Sequence, residues 1–340
     1  MKGKHMHLRH LLSLAVLGSL SASAGTVFTR EKAGAIWQDG LFIGDGRTGA
    51  MAYAPSGLEW TINRNDVFDA RVWHTAYEPH AAVMACVATN AGHSVAYLGA
   101  LERSRTQGYP DSGDKLTLSL SAAILKIRFW PGLGWSMPAV PPTRQALDTR
   151  TGELHASLTS PKMTPEALSL VERTRDVMAI SLTDRNAPKR LAVIELARPE
   201  DVRFEPLPFA WKDAGGVVVF TQGLPGGGTY AVAMSAAAPP SFVGRTAKVT
   251  TTCGRTLFLA VRTTRDAADP AAAAVAAVRA AENDGFAALR DANRAWWRNF
   301  WEKGARATFA SDETLDTQWN YSLYALAAQF GGAPMPALNG

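Results

Sequence analysis

Gly44-Asp45-Gly46-Arg47-Thr48-Gly49 is the first stretch whose residue types and spacing suggest chemistry, since it satisfies G-x-G-x-x-G. In a dinucleotide-binding turn those glycines open a helix, and its N-terminus holds a pyrophosphate. Here Ala50 to Ala54 runs straight into Pro55-Ser56-Gly57, which leaves no room for a helix. The expectation is therefore a tight glycine turn between two strands. Downstream, Asn63, Asn65, Asp66, Asp69 and His74 lie beside Trp60, Phe68 and Trp73. This polar run reads either as Asx residues bonding their own backbone in turns or as a loop facing a cation or sugar. As a calcium loop it lacks the ligand rhythm, the central glycine and the closing Glu of an EF-hand.

Other chemistries find little support. There is no G-x-S-x-G elbow, no HExxH and no CxxC or Cys/His cluster. Of seven histidines only His74, His80, His93 and His155 lie beyond the first two dozen residues, and none has a recognisable partner. Cys86 and Cys253 are far apart and read equally as a disulfide or as two buried thiols.

The elements that must position any site follow from periodicity. Lys2, Lys4 and Arg9 precede the apolar run Leu11 to Leu20 and the small residues Ser21-Ala22-Ser23-Ala24-Gly25, the pattern of a secretory signal peptide (1–24) cleaved after Ala24. The run is about half the roughly 20 residues of a membrane span, so an exported, secreted or periplasmic chain without a span is expected. Net charge is +5, from 35 basic and 30 acidic residues; without the three basic residues of the leader it is +2. The remaining Lys and Arg are scattered singly among Asp and Glu, which reads as a solvated surface and not as a nucleic-acid stripe.

From Trp37 to about Thr264, short alternating apolar runs are broken by Gly, Pro, Asn and Asp. Leu116, Leu118 and Leu120, Met178, Ile180 and Leu182, and Tyr230, Val232 and Met234 are examples. A mainly β fold, a large antiparallel sandwich over 25–265, is expected. The change of parity between Leu120 and Leu125 predicts a bulge. At Asp269-Pro270 the character becomes helical, with Asp as N-cap and Pro at the first position. A helical linker over 266–308 follows, broken at Asn283-Asp284-Gly285. Phe286, Leu289, Asn293, Trp296, Trp297, Phe300 and Trp301 form a stripe at helical spacing, read as core in preference to a sugar-stacking platform. The stretch 309–340 holds a further helix, capped by Ser311 or Asp312 and stopped at Gly331-Gly332, with Trp319, Leu323, Leu326 and Phe330 on one side.

Three stretches, in order, resemble glycoside hydrolase family 95 proteins, the inverting α-L-fucosidases and their α-L-galactosidase relatives. Trp37 followed by Ile43-Gly44-Asp45-Gly46-Arg47-Thr48-Gly49-Ala50-Met51 resembles W then P-x-G-N-G-x-x-G-A-M, with Asp45 for Asn. Ile62-Asn63-Arg64-Asn65-Asp66-Val67-Phe68 is similar to L-N-E-D-T-L-W, with Asn63 as the strict match. The helix with Trp319, Tyr321, Ser322, Leu323 and Tyr324, then Pro336-Ala337-Leu338-Asn339-Gly340, is similar to the lead into the catalytic barrel, where the loop reads P-x-N-L-Q/N-G-x-W-N. The resemblance implies a β-sandwich, a helical linker and the first helix of an (α/α)6 barrel truncated at Gly340. It also implies a terminal α-L-fucosyl or related sugar substrate; the motifs above give no reason to expect a cofactor or metal. Asn339 matches a loop position that helps to place the attacking water, and Ala337 stands where the family has its first Asn. The general acid and base would lie beyond Gly340, so the 340 residues alone are expected to be inactive. The competing reading is a non-catalytic carbohydrate-binding sandwich that uses the run from Asn63 to His74 and a Trp face. A third keeps the architecture with other chemistry, since phosphorylases and polysaccharide lyases carry similar sandwiches.

Overall fold

The computed structural model describes residues 27–34, 39–53, 58–74, 115–130, 143–158, 163–199, 207–224, 227–304, 307, 309 and 311–331; in 68–74 and 115–120 it describes the backbone alone. The strands are β1 (Val27–Arg30), β2 (Leu41–Gly44), β3 (Thr48–Ala52), β4 (Leu58–His74), β5 (Lys115–Phe129), β6 (Thr143–Asp148), β7 (Glu153–Leu158) and β8 (Pro165–Glu172). They continue as β9 (Val177–Asp184), β10 (Leu191–Ala197), β11 (Phe209–Asp213), β12 (Val217–Gly223), β13 (Thr229–Ser235), β14 (Ser241–Val243), β15 (Thr246–Thr252) and β16 (Thr256–Thr263). Two helices follow, α1 (Pro270–Lys303) and α2 (Glu313–Gln329).

The strands form two antiparallel sheets, one ordered β1-β6-β7-β8-β9-β16-β13-β12-β11 and the other β14-β15-β10-β5-β4-β3-β2. Alternation decides what lies between them. Trp60 and Ile62 of β4, Leu125 and Ile127 of β5 and Ile194 and Leu196 of β10 face Leu147, Leu154, Ile180, Phe220, Val232 and Val261 in one continuous core. The expected bulge is present. Ile62 pairs with Ala123 but Asn63 with Ser121, so Ala122 is the extra residue, and Ala122 and Ala123 are both buried.

The nine-stranded sheet is covered on its outer face as well, which explains the unbroken apolar runs of β9, β12, β13 and β16. Ala179, Val219, Ala231, Ala233 and Ala260 meet Ala274, Val278, Ala281 and Leu289 of α1 in a second core. Small residues on both surfaces let the helix lie close. Helix α1 begins as its sequence implies: Asp269 accepts a 2.9 Å hydrogen bond from the Ala272 N–H, and Pro270 occupies the first turn. It kinks at Gly285, whose φ of 79° leaves the helical region.

Beyond the kink the aromatic stripe is core. Leu289, Asn293 and Trp297 are buried, and Trp296, Phe300 and Trp301 pack against the main core. The Trp301 indole N–H donates to the Thr149 carbonyl (3.0 Å) and the Asn293 amide to that of Thr151 (2.6 Å). Buried Glu153 accepts paired hydrogen bonds from Arg290 (2.9 and 2.9 Å) and Arg294 (2.5 and 2.9 Å), pinning α1 to β7. Helix α2 is capped by Asp312, which accepts from the Leu315 N–H at 2.9 Å. It docks through Tyr324, whose ring stacks on Trp297 (4.9 Å between centroids) and whose hydroxyl donates to the Phe42 carbonyl (2.8 Å). The Trp319, Leu326 and Phe330 side of α2 points outward.

Candidate functional site

The G-x-G-x-x-G stretch is the turn between β2 and β3. The Asp45 Oδ1 accepts from the Arg47 and Thr48 N–H groups, both at 2.8 Å, closing an Asx turn. What approaches its glycines is the end of α2. The Gly46 N–H donates to the Ala328 carbonyl at 2.8 Å. A Cβ on Gly46, where φ is +91°, would lie 2.5 Å from the Phe330 carbonyl oxygen, and one on Gly44 would lie 2.5 Å from that of Ala328. These glycines serve a close backbone approach of the kind a phosphate site would use, but they grip a helix C-terminus. Asn65 joins them, its amide donating to the Gly46 carbonyl at 2.9 Å and to that of Gln329 at 3.4 Å.

Behind this turn lies a charge cluster centred on Arg64, which is 3% exposed. Its Nε donates to Asp66 Oδ1 (2.8 Å), and its Nη1 to Asp176 Oδ2 (2.8 Å) and to the Val261 carbonyl. Its Nη2 donates to both oxygens of Asp266 (2.8 and 2.7 Å). Burial alone would lower the pKa of the guanidinium, but Asp176, Asp66 and Asp266 together raise it. The carboxylates are held in turn. Thr263 Oγ1 donates to Asp66 (2.7 Å), the Thr263 N–H to Asp266 (2.8 Å), and Arg262 Nη1 to Asp176 Oδ2 (3.2 Å).

Asp176 closes the turn between β8 and β9 at φ +50°, the one non-glycine residue with positive φ among the described residues. Aspartate tolerates this region better than most residues, and strain of this kind gathers at functional positions. The same turn carries Arg173, whose guanidinium donates to the Ala327 carbonyl and, at 3.4 Å, to that of Phe330, while lying 3.9 Å over the Trp296 ring. A cation on the last carbonyls of a helix complements its dipole. Between the two turns opens a polar cavity of about 300 Å³, lined by Asp45, Arg47, Arg173, Asp176, Arg262, Asp266 and Gly331 among others. Burial, reinforced by the charge of Asp176, holds the Asp45 carboxyl well above the ordinary carboxylate range, against the two turn N–H groups that favour its charged form.

The arrangement holds charge in place. An inverting pair of carboxyls stands about 6.5–9.5 Å apart with water between. Asp45 and Asp176 instead line one cavity among Arg47, Arg173 and Arg262, with the charge of Asp176 acting on the Asp45 carboxyl. The centre of Asp66, Asp176 and Asp266 is filled by a guanidinium, and among the described residues no group of three His, Cys, Asp or Glu could hold a metal ion.

Several sequence expectations are thereby relocated. The run from Asn63 to His74 is strand β4, not a loop. Asn63 pairs with Gly49 and Ser121 across the sheet, and Asp69 and His74 are described as backbone alone. Trp60 is 0% exposed and offers no face to a sugar, and the side chain of Trp73 lies outside the described residues. Arg64, taken with the other cations as a solvated charge, is the buried hub. The signal peptide, Cys86, His80, His93, Ala337 and Asn339 also lie outside the described residues. Cys253 is buried and its thiol is pushed up to about 11, chiefly by burial. No helix among the described residues is long and apolar enough to cross a membrane.

No protein-family model matches the chain, and no curated protein does. Among solved structures it is similar to a putative kojibiose phosphorylase from human microbiome, with a TM-score of 0.56 and 12% sequence identity. The likeness is one of fold. It covers 84% of this chain and 39% of that one.

Proposed function

We propose that this chain is the N-terminal sandwich and linker of an exported carbohydrate-active enzyme, with α2 as the first helix of an (α/α)6 catalytic barrel. The observation that carries the reading is the outward side of α2. Leu315, Trp319, Leu326 and Phe330 are 42%, 38%, 53% and 43% exposed, while the opposite side is held by Tyr324 and the two turns. An apolar stripe on a helix already docked on its other side suits a position between two packed layers. The likeness to the phosphorylase, of which this chain spans 39%, supports the same reading.

Within it, the resemblance of the three sequence stretches favours inverting hydrolysis of a terminal α-L-fucosyl or related residue. Asn339 would help to position water, and the acid and base would be supplied beyond Gly340. The fold likeness favours a second reading, phosphorolysis of an α-linked disaccharide by the same architecture. The discriminating experiment uses the protein extended by the sequence downstream of Gly340. Release of the leaving group from an aryl α-L-fucoside, independent of phosphate, is the expected result. Cleavage of a glucosyl disaccharide only with phosphate would overturn hydrolysis in favour of the phosphorylase. Residues 25–340 alone should show no turnover, and activity there that disappears in Asn339→Ala would refute the assignment of catalysis to a following domain.

A further inference from the structure

Two oxygens in the polar cluster are left over. Asp45 Oδ1 is engaged by the Arg47 and Thr48 N–H groups, and Asp176 Oδ2 by Arg64 and Arg262. The other oxygen of each, Asp45 Oδ2 and Asp176 Oδ1, is shut off from solvent and has no hydrogen-bond donor. Asp45 is 3% and Asp176 7% exposed, and the two carboxyls line one cavity and act on each other across it. Two acceptors cannot bond to each other. Each orphaned buried oxygen costs about 1–3 kcal/mol, and contact between two dry carboxylates is worse, whereas one proton between them satisfies both.

We propose that Asp45 and Asp176 share a single proton, and that this proton latches the end of α2 to the sandwich and lets it loosen as pH rises. The proton resides on Asp45, because Asp176 already accepts from the guanidinium groups of Arg64 and Arg262 whereas among the described residues no cation bonds Asp45. The two turns it joins are those that grip α2: Gly46 holds Ala328 from one, and Arg173 holds Ala327 and Phe330 from the other.

The charged groups on every side are Arg47 on the first turn, Arg64 and Asp66 on β4, Arg173 and Arg175 on the second turn, Arg262 on β16 and Asp266 just after it. The end of α2 contributes main-chain carbonyls, and Gly331 follows it. Arg47 is half-exposed and 3.8 Å from Asp266, and the guanidinium of Arg173 is committed to helix carbonyls. Neither bonds the free oxygen of Asp45. When the shared proton leaves, two negative charges face each other across the joint and the turns separate.

The sign follows from a carboxyl that binds its proton more tightly when folded. Its contribution is complete below the ordinary aspartate value and is lost as pH rises through the raised one.

The test is amide hydrogen exchange on the full chain, corrected for the intrinsic rate at each pH, comparing a peptide over 322–331 with one over 270–281 of α1. Protection of 322–331 should fall by about tenfold or more between about pH 5 and about pH 9, while 270–281 stays unchanged. Asp45→Asn keeps the turn acceptor and offers an N–H to Asp176, so its protection should be high and independent of pH. Wild-type protection of 322–331 that is flat with pH, or a fall that persists in Asp45→Asn, overturns the latch. Should that variant fail to fold, infrared spectroscopy of the wild type decides. An acid carbonyl band persisting above about pH 6 and vanishing together with the protection supports the shared proton, and its absence overturns it.

Discussion

Replacing Arg64 by Leu tests whether the buried cluster is the structural hub described above. The guanidinium meets Asp66, Asp176 and Asp266 through donors 2.7–2.8 Å from their oxygens. With charge centres about 4 Å apart and an effective dielectric near 20, each pair is worth about 4 kcal/mol before desolvation and before the mutual repulsion of the three carboxylates. Removing four ions from water costs several kcal/mol apiece, so the intact cluster contributes little net stability. Breaking it is another matter. Leu removes the guanidinium that faces all three carboxylates and leaves the nearly solvent-free Asp66 with only Thr263 and Asp176 with only Arg262, and the expected loss is about 3–5 kcal/mol. In urea, with an m-value of about 3 kcal/mol/M, the midpoint should fall by about 1–1.7 M with the slope unchanged. Arg64→Lys keeps the charge but not the fork and should fall between the two. Adding Asp176→Asn to Arg64→Leu should restore part of the loss, since the second change removes one of the three carboxylates that then face one another without the guanidinium between them. A midpoint for Arg64→Leu within about 0.3 M of wild type would refute the reasoning, because it would mean that water replaces the guanidinium at small cost.

Three further outcomes are expected. Burial would raise the Glu153 carboxyl, but hydrogen bonds from Arg290 and Arg294 prevail and hold it below the ordinary glutamate range. Its contribution is therefore complete above about pH 4 and disappears as pH falls through the lowered value. Glu153→Gln should cost about 1–2 kcal/mol near neutrality, reduced by the solvent that reaches both arginines, and should flatten the acid limb of a plot of stability against pH. Gly152→Ala puts a methyl 2.1 Å from the Trp297 indole nitrogen at a φ of +61°, and thermal unfolding should show a loss of about 2–4 kcal/mol. Leu326→Ser, on the outward side of α2, should change the stability of this chain by no more than about 0.5 kcal/mol but lower the melting temperature of a longer protein in which that side is covered. Equal melting shifts in the two would count against a domain packed there.

How much of this could be read from the residues depended on how far each signal reaches along the chain. Asp269-Pro270 announces the start of α1, and the parity change before Leu125 announces the bulge at Ala122, because both are local. The cover on the outer face of the nine-stranded sheet is missed by reading Tyr230, Val232 and Met234 as an alternating run, although Ala231 and Ala233 between them are apolar and buried as well. Arg64 was less legible, since Asp176 and Asp266 lie 112 and 202 residues away and no local rule connects them. A signal was nonetheless present. Leu58, Trp60, Ile62, Arg64 and Asp66 share one parity in β4, and that face is buried throughout. A cation on the inward face of a strand must meet anions there, so parity alone implies a buried ion cluster while leaving its other members unnamed. Helix α2 shows the converse limit. Trp319, Leu323, Leu326 and Phe330 were read as one apolar side, but the side that docks is Tyr324 with Ala327 and Ala328. Helical spacing identifies a stripe without saying which neighbour covers it. Here the glycines at 44 and 46 and the hydroxyl of Tyr324 choose the smaller face, and the larger one remains turned to the outside.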